Sequence, residues 1–121
     1  MHKVLIVDDS KFMRLTLKKM VEGEGDMEVI GEAENDHEGV AKFTELKPDL
    51  VIMDIIMEDE GGLAALKNII ELDPEAKVLM VSAMGQYATM EEAMKIGAKG
   101  FVVKPVKKEI LIKKINTILQ K

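Results

Sequence analysis

Five short apolar runs, rich in β-branched residues, divide the chain: Lys3 to Val7, Glu28 to Ala33, Asp49 to Asp54, Lys77 to Val81 and Gly100 to Val103. Each is too short for a helix and is bounded by turn residues, so each reads as a strand. Asp49 to Asp54 holds Leu50-Val51-Ile52-Met53 without a polar interruption, as a strand buried on both faces does. The segments between the runs carry apolar residues every three or four positions. Met13, Leu17, Met20 and Val21 form one such stripe, as do Val40, Phe43 and Leu46, and Leu63, Leu66, Ile69 and Ile70. Leu111, Ile115, Ile118 and Leu119 form the last. Five strands alternating with five helices, on short connections, imply an α/β fold. Its sheet is parallel, its helices cover both faces and its crossovers are right-handed.

Local signals place the boundaries. Ser10 is an N-cap for a helix to about Glu22, stopped by Gly23 and Gly25. Asp36 is expected to cap the second helix, which ends before Pro48. A loop over Ile55 to Gly62 leads to the third helix, and Asp73-Pro74 makes a turn. The fourth helix covers about Gln86 to Ile96, up to Gly97, and the fifth about Lys107 to Gln120. At 121 residues and 47% hydrophobic composition, residues 1–121 are expected to form one domain with a single core.

Composition excludes several classes of function. The net charge of −5 opposes general nucleic-acid binding, which requires a basic footprint. No apolar run approaches the roughly 20 residues that span a bilayer, and the N-terminal run is too short for a secretory signal. A cytoplasmic location is therefore expected. Without cysteine there is no disulfide, thiolate metal site or cysteine nucleophile. His2 and His37 stand alone, without ligand spacing. The acidic stretch from Glu22 to Glu38 and the C-terminal Lys107, Lys108, Lys113, Lys114 and Lys121 read first as solvated faces.

The chemistry lies at the carboxyl ends of the strands, where ligands collect in open α/β sheets. Asp8 and Asp9 end the first strand, Asp54 the third, Ser82 the fourth and Lys104 the fifth. Three carboxylates at one edge repel, and their pKa values rise unless a cation sits among them. Oxygen ligands with room for water suit Mg²⁺. A lysine and a hydroxyl beside such an ion supply the positioning and charge neutralisation that phosphoryl transfer needs. Taken singly, these residues have plainer readings. Asp8, Asp9 and Ser10 could only cap a helix, Ser82 could be a turn hydroxyl, Lys104 a solvated lysine and Phe101 ordinary core.

Together, Val7-Asp8-Asp9-Ser10, Asp49 to Asp54, Ser82-Ala83 and Phe101-Val102-Val103-Lys104-Pro105 resemble the receiver domain of two-component response regulators. The resemblance covers the whole chain and is greatest to stand-alone, CheY-like members. It implies a flavodoxin-like (βα)5 three-layer sandwich with strand order 2-1-3-4-5. It implies that Asp54 is the phosphoacceptor, Asp9 a direct Mg²⁺ ligand, Asp8 its companion acid and the backbone carbonyl of Ile56 a further ligand. Lys104 matches the lysine that pairs with Asp54 and then with the phosphoryl oxygens, and Lys104-Pro105 matches a bond usually cis in the family. Ser82 matches the hydroxyl that turns toward the phosphate, and Phe101 the aromatic switch. The implied protein is a monomer that is not an enzyme in the turnover sense. It takes phosphate from a histidine kinase and binds a target protein, such as a flagellar or archaellar motor component. The target face lies near Met90, Met94, Phe101, Lys107 and Lys108, with Met90 and Met94 equally readable as a core stripe. Phe101 lacks a hydroxyl, so its inward state rests on packing.

The chain also departs from the family's pattern. Glu58 stands where receivers usually have proline, and Gly61 where they have an acid. This exchange is expected to loosen the loop. The acids Glu58, Asp59 and Glu60 would either attract cation or favour the third helix N-terminus. Ile56 and Met84 are apolar where some relatives place amides or acids that guide water, so slow hydrolysis is expected. An intermediate phosphotransfer carrier and a receiver cut from a longer regulator are the alternatives, although the start at Met1 and the final amphipathic helix fit one natural domain. Two other classes fit less well. A phosphatase with an aspartyl-phosphate intermediate has Asp-x-Asp on its first strand, and a flavodoxin-like cofactor binder has a Gly/Ser/Thr-rich first loop.

Overall fold

The computed structural model describes residues 1–57 and 61–120. Their elements run β1 (His2–Val7), α1 (Lys11–Glu22), β2 (Met27–Ala33), α2 (Asp36–Leu46), β3 (Leu50–Asp54), α3 (Gly61–Leu72), β4 (Val78–Ser82), α4 (Tyr87–Ile96), β5 (Gly100–Val103) and α5 (Lys108–Leu119). All strand pairs are parallel, and the sheet order is β2-β1-β3-β4-β5, as expected for a flavodoxin-like fold.

Side-chain alternation along the central strands divides the core into two. Leu5 and Val7 of β1, Val51 and Met53 of β3, and Val78 and Met80 of β4 pack on one face, with Phe43, Leu66, Ile69 and Met90 from α2, α3 and α4. Val4 and Ile6, Leu50 and Ile52, and Leu79 and Val81 pack on the other, with Leu17, Val21, Leu111 and Ile115 from α1 and α5. β1, β3 and β4 are covered on both sides, which explains their unbroken apolar runs.

Two local expectations are corrected. The N-cap of α2 is Asn35, whose Oδ1 accepts from the Glu38 amide at 2.8 Å; Asp36 is already the first helical residue and is buried. Met90 is core, 2% exposed, whereas Met94 on the same helix is 41% exposed, so only Met94 remains available to a partner. The capping of α1 by Ser10 is as expected, with its Oγ accepting from the Met13 amide at 3.2 Å. The acids Glu58, Asp59 and Glu60, and the loosening expected there, lie outside the described residues. Gly61, beside them, has φ +81, a conformation that glycine adopts without strain. Among the described residues, no helix is long and apolar enough to cross a membrane.

Candidate phosphoryl-transfer site

Strand register brings the site together. Val7 pairs with Met53, so Asp8 and Asp54 leave adjacent strands at the same level. Asp54 pairs with Val81 and Ser82 with Val103, which places Ser82 and Lys104 beside them. The ladder continues past the strand ends: the Asp8 amide donates to Ala33 O at 2.9 Å, and the Lys104 amide to Ser82 O at 2.7 Å. Lys104 and Pro105 are joined by a cis peptide bond.

At this edge, carboxylate oxygens of Asp8, Asp9 and Asp54 lie within 4.8 Å of one another. Asp8 and Asp54 are buried and Asp9 is exposed. Lys104 Nζ stands 3.2 Å from Asp54 Oδ2, a bond across 50 residues of sequence. Ser82 is buried at the end of the next strand. The Ile56 amide turns back to donate to Asp54 Oδ1 at 3.3 Å, while its side chain is exposed. Met84, two residues after Ser82, is also exposed.

Asp8 shows the cost of crowding acids together. Its carboxyl is raised from 3.8 to about 6, first by burial and then by the charges of Asp54 and Asp9. The Ser10 amide, which donates to Asp8 Oδ1 at 2.8 Å, and the Lys104 charge pull the other way. Asp8 Oδ2 is buried without a hydrogen-bond partner. An unpartnered buried oxygen on a carboxylate that lies beside two others is what a divalent cation would satisfy. The donor set is all oxygen, as Mg²⁺ requires, so the residues fit that ion.

Three contributors carry no sequence signal of the kind used above. Arg14, on the second turn of α1, donates from Nη1 to the Asp8 carbonyl at 2.7 Å and from Nε to Glu32 Oε1 at 3.0 Å. An arginine on a charged helix face reads as solvated, and only its spacing of four from the Ser10 cap hints otherwise. Gly62 packs directly on the Asp54 backbone: a Cβ there would stand 2.2 Å from the Asp54 carbonyl oxygen. Gln86 reaches back over the loop after β4, and its Oε1 accepts from the Ala83 amide at 2.7 Å.

Phe101 is half-buried against the α3–α4 side of the core, and Lys114 Nζ lies 6.0 Å from its ring centroid. In this state the ring thus has a cationic neighbour as well as packing. Lys107 caps α5 and Lys108 begins it, with Lys108 Nζ 3.6 Å from Glu24 Oε2. Asp49 lies at the opposite end of β3, where its Oδ2 accepts from the Lys3 amide at 2.7 Å. A cavity of about 460 Å³ at that opposite edge, lined by His2, Phe43 and Asp49 among others, contains none of the site acids.

Comparison with known proteins gives a consistent result. The response regulator receiver domain matches residues 4–116. Chemotaxis protein CheY of Thermotoga maritima is 48% identical over 116 residues, 96% of each chain. Chemotaxis protein CheY of Bacillus subtilis is 44% identical over 118 residues, 98% of each. Among solved structures, the CheX–CheY–BeF3–Mg²⁺ complex from Borrelia burgdorferi contains a chain with a TM-score of 0.94 and 34% identity. That likeness covers 99% of this chain and 90% of that one.

Proposed function

The chain belongs to the response regulator receiver family, and from that premise we propose that Asp54 accepts a phosphoryl group from a phosphohistidine of a kinase and thereby switches binding to a target protein. The observation that carries this reading is the Asp8, Asp9 and Asp54 carboxylates within 4.8 Å, with Lys104 Nζ 3.2 Å from Asp54 Oδ2. In the transfer, an Asp54 carboxylate oxygen forms the new bond to phosphorus. The phosphorus–nitrogen bond to the donor histidine breaks, and its electron pair returns to the imidazole. Charge then lies on the equatorial oxygens, and the protein's task is to hold and neutralise it. Asp8, Asp9, Asp54 and the Ile56 carbonyl would hold Mg²⁺, which supplies a double positive charge beside those oxygens. Lys104 exchanges its partner Asp54 for a phosphoryl oxygen, and Ser82 offers its hydroxyl from the neighbouring strand.

The signal is of the chemotaxis type, a reading supported by the two CheY relatives. The histidine kinase is the phosphodonor. The target meets the face bearing Met94, Phe101, Lys107 and Lys108, where lysines steer an acidic partner. The protein is a cytoplasmic monomer that assists its own phosphorylation and slow dephosphorylation rather than an enzyme that turns over a separate substrate.

Incubation with acetyl phosphate and Mg²⁺, followed by intact-mass measurement, tests the assignment. A phosphate adduct is expected on the native chain and on Asp49→Asn, and none on Asp54→Asn. No adduct on the native chain overturns the reading.

A further inference from the structure

We propose that Arg14 is a positioning residue for the acid pair: by holding the Asp8 carbonyl, its guanidinium fixes the peptide between Asp8 and Asp9 and so the spacing of their carboxylates toward the divalent cation. The inference rests on the phosphoacceptor reading above and deepens it.

The carbonyl in question joins two site acids. A peptide unit is planar, so orienting the Asp8 carbonyl also places the Cα of Asp9. Of the other polar groups of Asp8, the amide is committed to Ala33 O at 2.9 Å and Oδ1 to the Ser10 amide at 2.8 Å, which leaves Oδ2 for the cation. Its carbonyl lies upstream of the helix, because the α1 ladder opens with the Arg14 amide donating to Ser10 O at 3.0 Å. Helical geometry therefore supplies it no donor. Arg14 does, at 2.7 Å, from a side chain only 14% exposed.

The second arm of the fork keeps the first in place. Nε bonds Glu32 Oε1 at 3.0 Å, and the Glu32 backbone carbonyl accepts from Lys42 Nζ. Lys42 also lies 3.6 Å from Glu38 Oε1. One planar group that cannot lose its charge thus ties the acid loop to the Glu32 side chain of β2, and Lys42 of α2 holds the Glu32 backbone in turn.

The sign of the effect separates this role from a purely electrostatic one. An arginine near a cation site repels the cation, so if Arg14 acted through charge alone, its removal would tighten Mg²⁺ binding. Positioning predicts weakening, because a carboxylate pair free to rotate must be ordered by the ion.

Isothermal titration of the full chain with MgCl2 tests the proposal on native protein, Arg14→Met, Arg14→Lys, Glu32→Gln and Val21→Ala, with folding checked by circular dichroism. Arg14→Met is expected to weaken Mg²⁺ about tenfold, the usual effect of losing an outer-shell partner. Arg14→Lys keeps charge and stem but not the fork, and should weaken it by roughly threefold. Glu32→Gln retains an acceptor for Nε and Val21→Ala is remote in the α1 core, so both should stay within about twofold while Val21→Ala lowers Tm. In acetyl phosphate labelling, Arg14→Met should need more Mg²⁺ for half-maximal rate yet approach the native rate at saturation. Unchanged or tighter Mg²⁺ binding in folded Arg14→Met overturns the proposal, and unchanged binding in Arg14→Lys does so if the Met variant fails to fold. A native chain that binds no Mg²⁺ and takes no phosphate overturns the underlying reading as well. A native chain that does both, with Arg14 variants unaffected, removes only the inference.

Discussion

Folding moves Asp8 out of water and beside Asp54 and Asp9, and its carboxyl rises from 3.8 to about 6. Between those values the folded chain binds the proton more tightly than the unfolded chain. Stability of the metal-free protein therefore increases as pH falls through that window, and the penalty is fully present above it. Asp8→Asn keeps an oxygen for the Ser10 amide but removes the charge. It should stabilise the metal-free chain by about 3 kcal/mol at pH 7, with the gain vanishing near pH 4, read as the difference in urea unfolding between variant and native. Saturating Mg²⁺ should reverse the order, because the ion stabilises only the chain that binds it. A constant difference across pH would contradict the assigned cause. The exposed Ile56 and Met84 act at the same scale, since neither can accept a proton from attacking water. The phosphorylated chain is expected to persist for minutes or longer in Mg²⁺, and Met84→Glu to shorten its lifetime severalfold. A native half-life of seconds, followed by intact mass, would count against this. Asp54 and Lys104 were readable from sequence because each breaks an apolar run abruptly. Arg14 was not, because the site group it holds is a backbone carbonyl, which its spacing from the Ser10 cap does not reveal by itself.

Elements read well where burial sets the pattern and poorly where an end is set by one hydrogen bond. The runs of β1, β3 and β4 declare themselves because helices cover both faces. The cap of α2 lies one residue before the one the sequence suggests, since Asn35 and Asp36 are both good caps and only the bond from the Glu38 amide to the Asn35 side chain distinguishes them. The start of α3 is the more consequential case. Gly61 attracts notice as a departure from the family, and its φ of +81 gives it a conformational reason. Gly62 looks incidental, yet it is the closer neighbour of Asp54. A Cβ at Gly62 would meet the Asp54 carbonyl oxygen at 2.2 Å and Ile55 Cα at 2.8 Å, both backbone atoms that cannot swing away. At Gly61 the nearest atom is Ile55 O at 3.4 Å, an ordinary contact. Gly61→Ala should therefore cost about 1 kcal/mol from backbone strain, and Gly62→Ala about 3 kcal/mol or more from overpacking. Only Gly62→Ala should also slow acetyl phosphate labelling of Asp54. Denaturant midpoints and labelling rates that rank the two variants the other way would refute the assignment of α3 as the support beneath Asp54.

At the scale of the whole molecule, the proposed phosphorylation of Asp54 has to reach a surface formed by other elements, and the fold offers a short route. Lys104 bonds Asp54 and directly follows β5, three residues after Phe101. Phe101 packs toward α3 and α4, and Lys114 of α5 lies over its ring. A phosphoryl group can bias this system only by as much as it favours one arrangement over the other, and Lys104 is the described side chain bonded to Asp54 that also carries β5. Accepting phosphate and reporting it should therefore separate when that link is cut. Lys104→Ala retains the carboxylates and should still take phosphate from acetyl phosphate, more slowly because one neutralising charge is gone. It should fail to switch. Methionine methyl spectra supply the readout without a known target, because on α4 Met94 is exposed and Met90 is buried in the core. Phosphorylation of the native chain should shift both resonances, together with the Phe101 ring, while phosphorylated Lys104→Ala should leave them near their unphosphorylated positions. Native-like shifts in that variant would mean that the signal reaches α4 through Ser82 and β4 alone. The lysine would then serve chemistry but not communication.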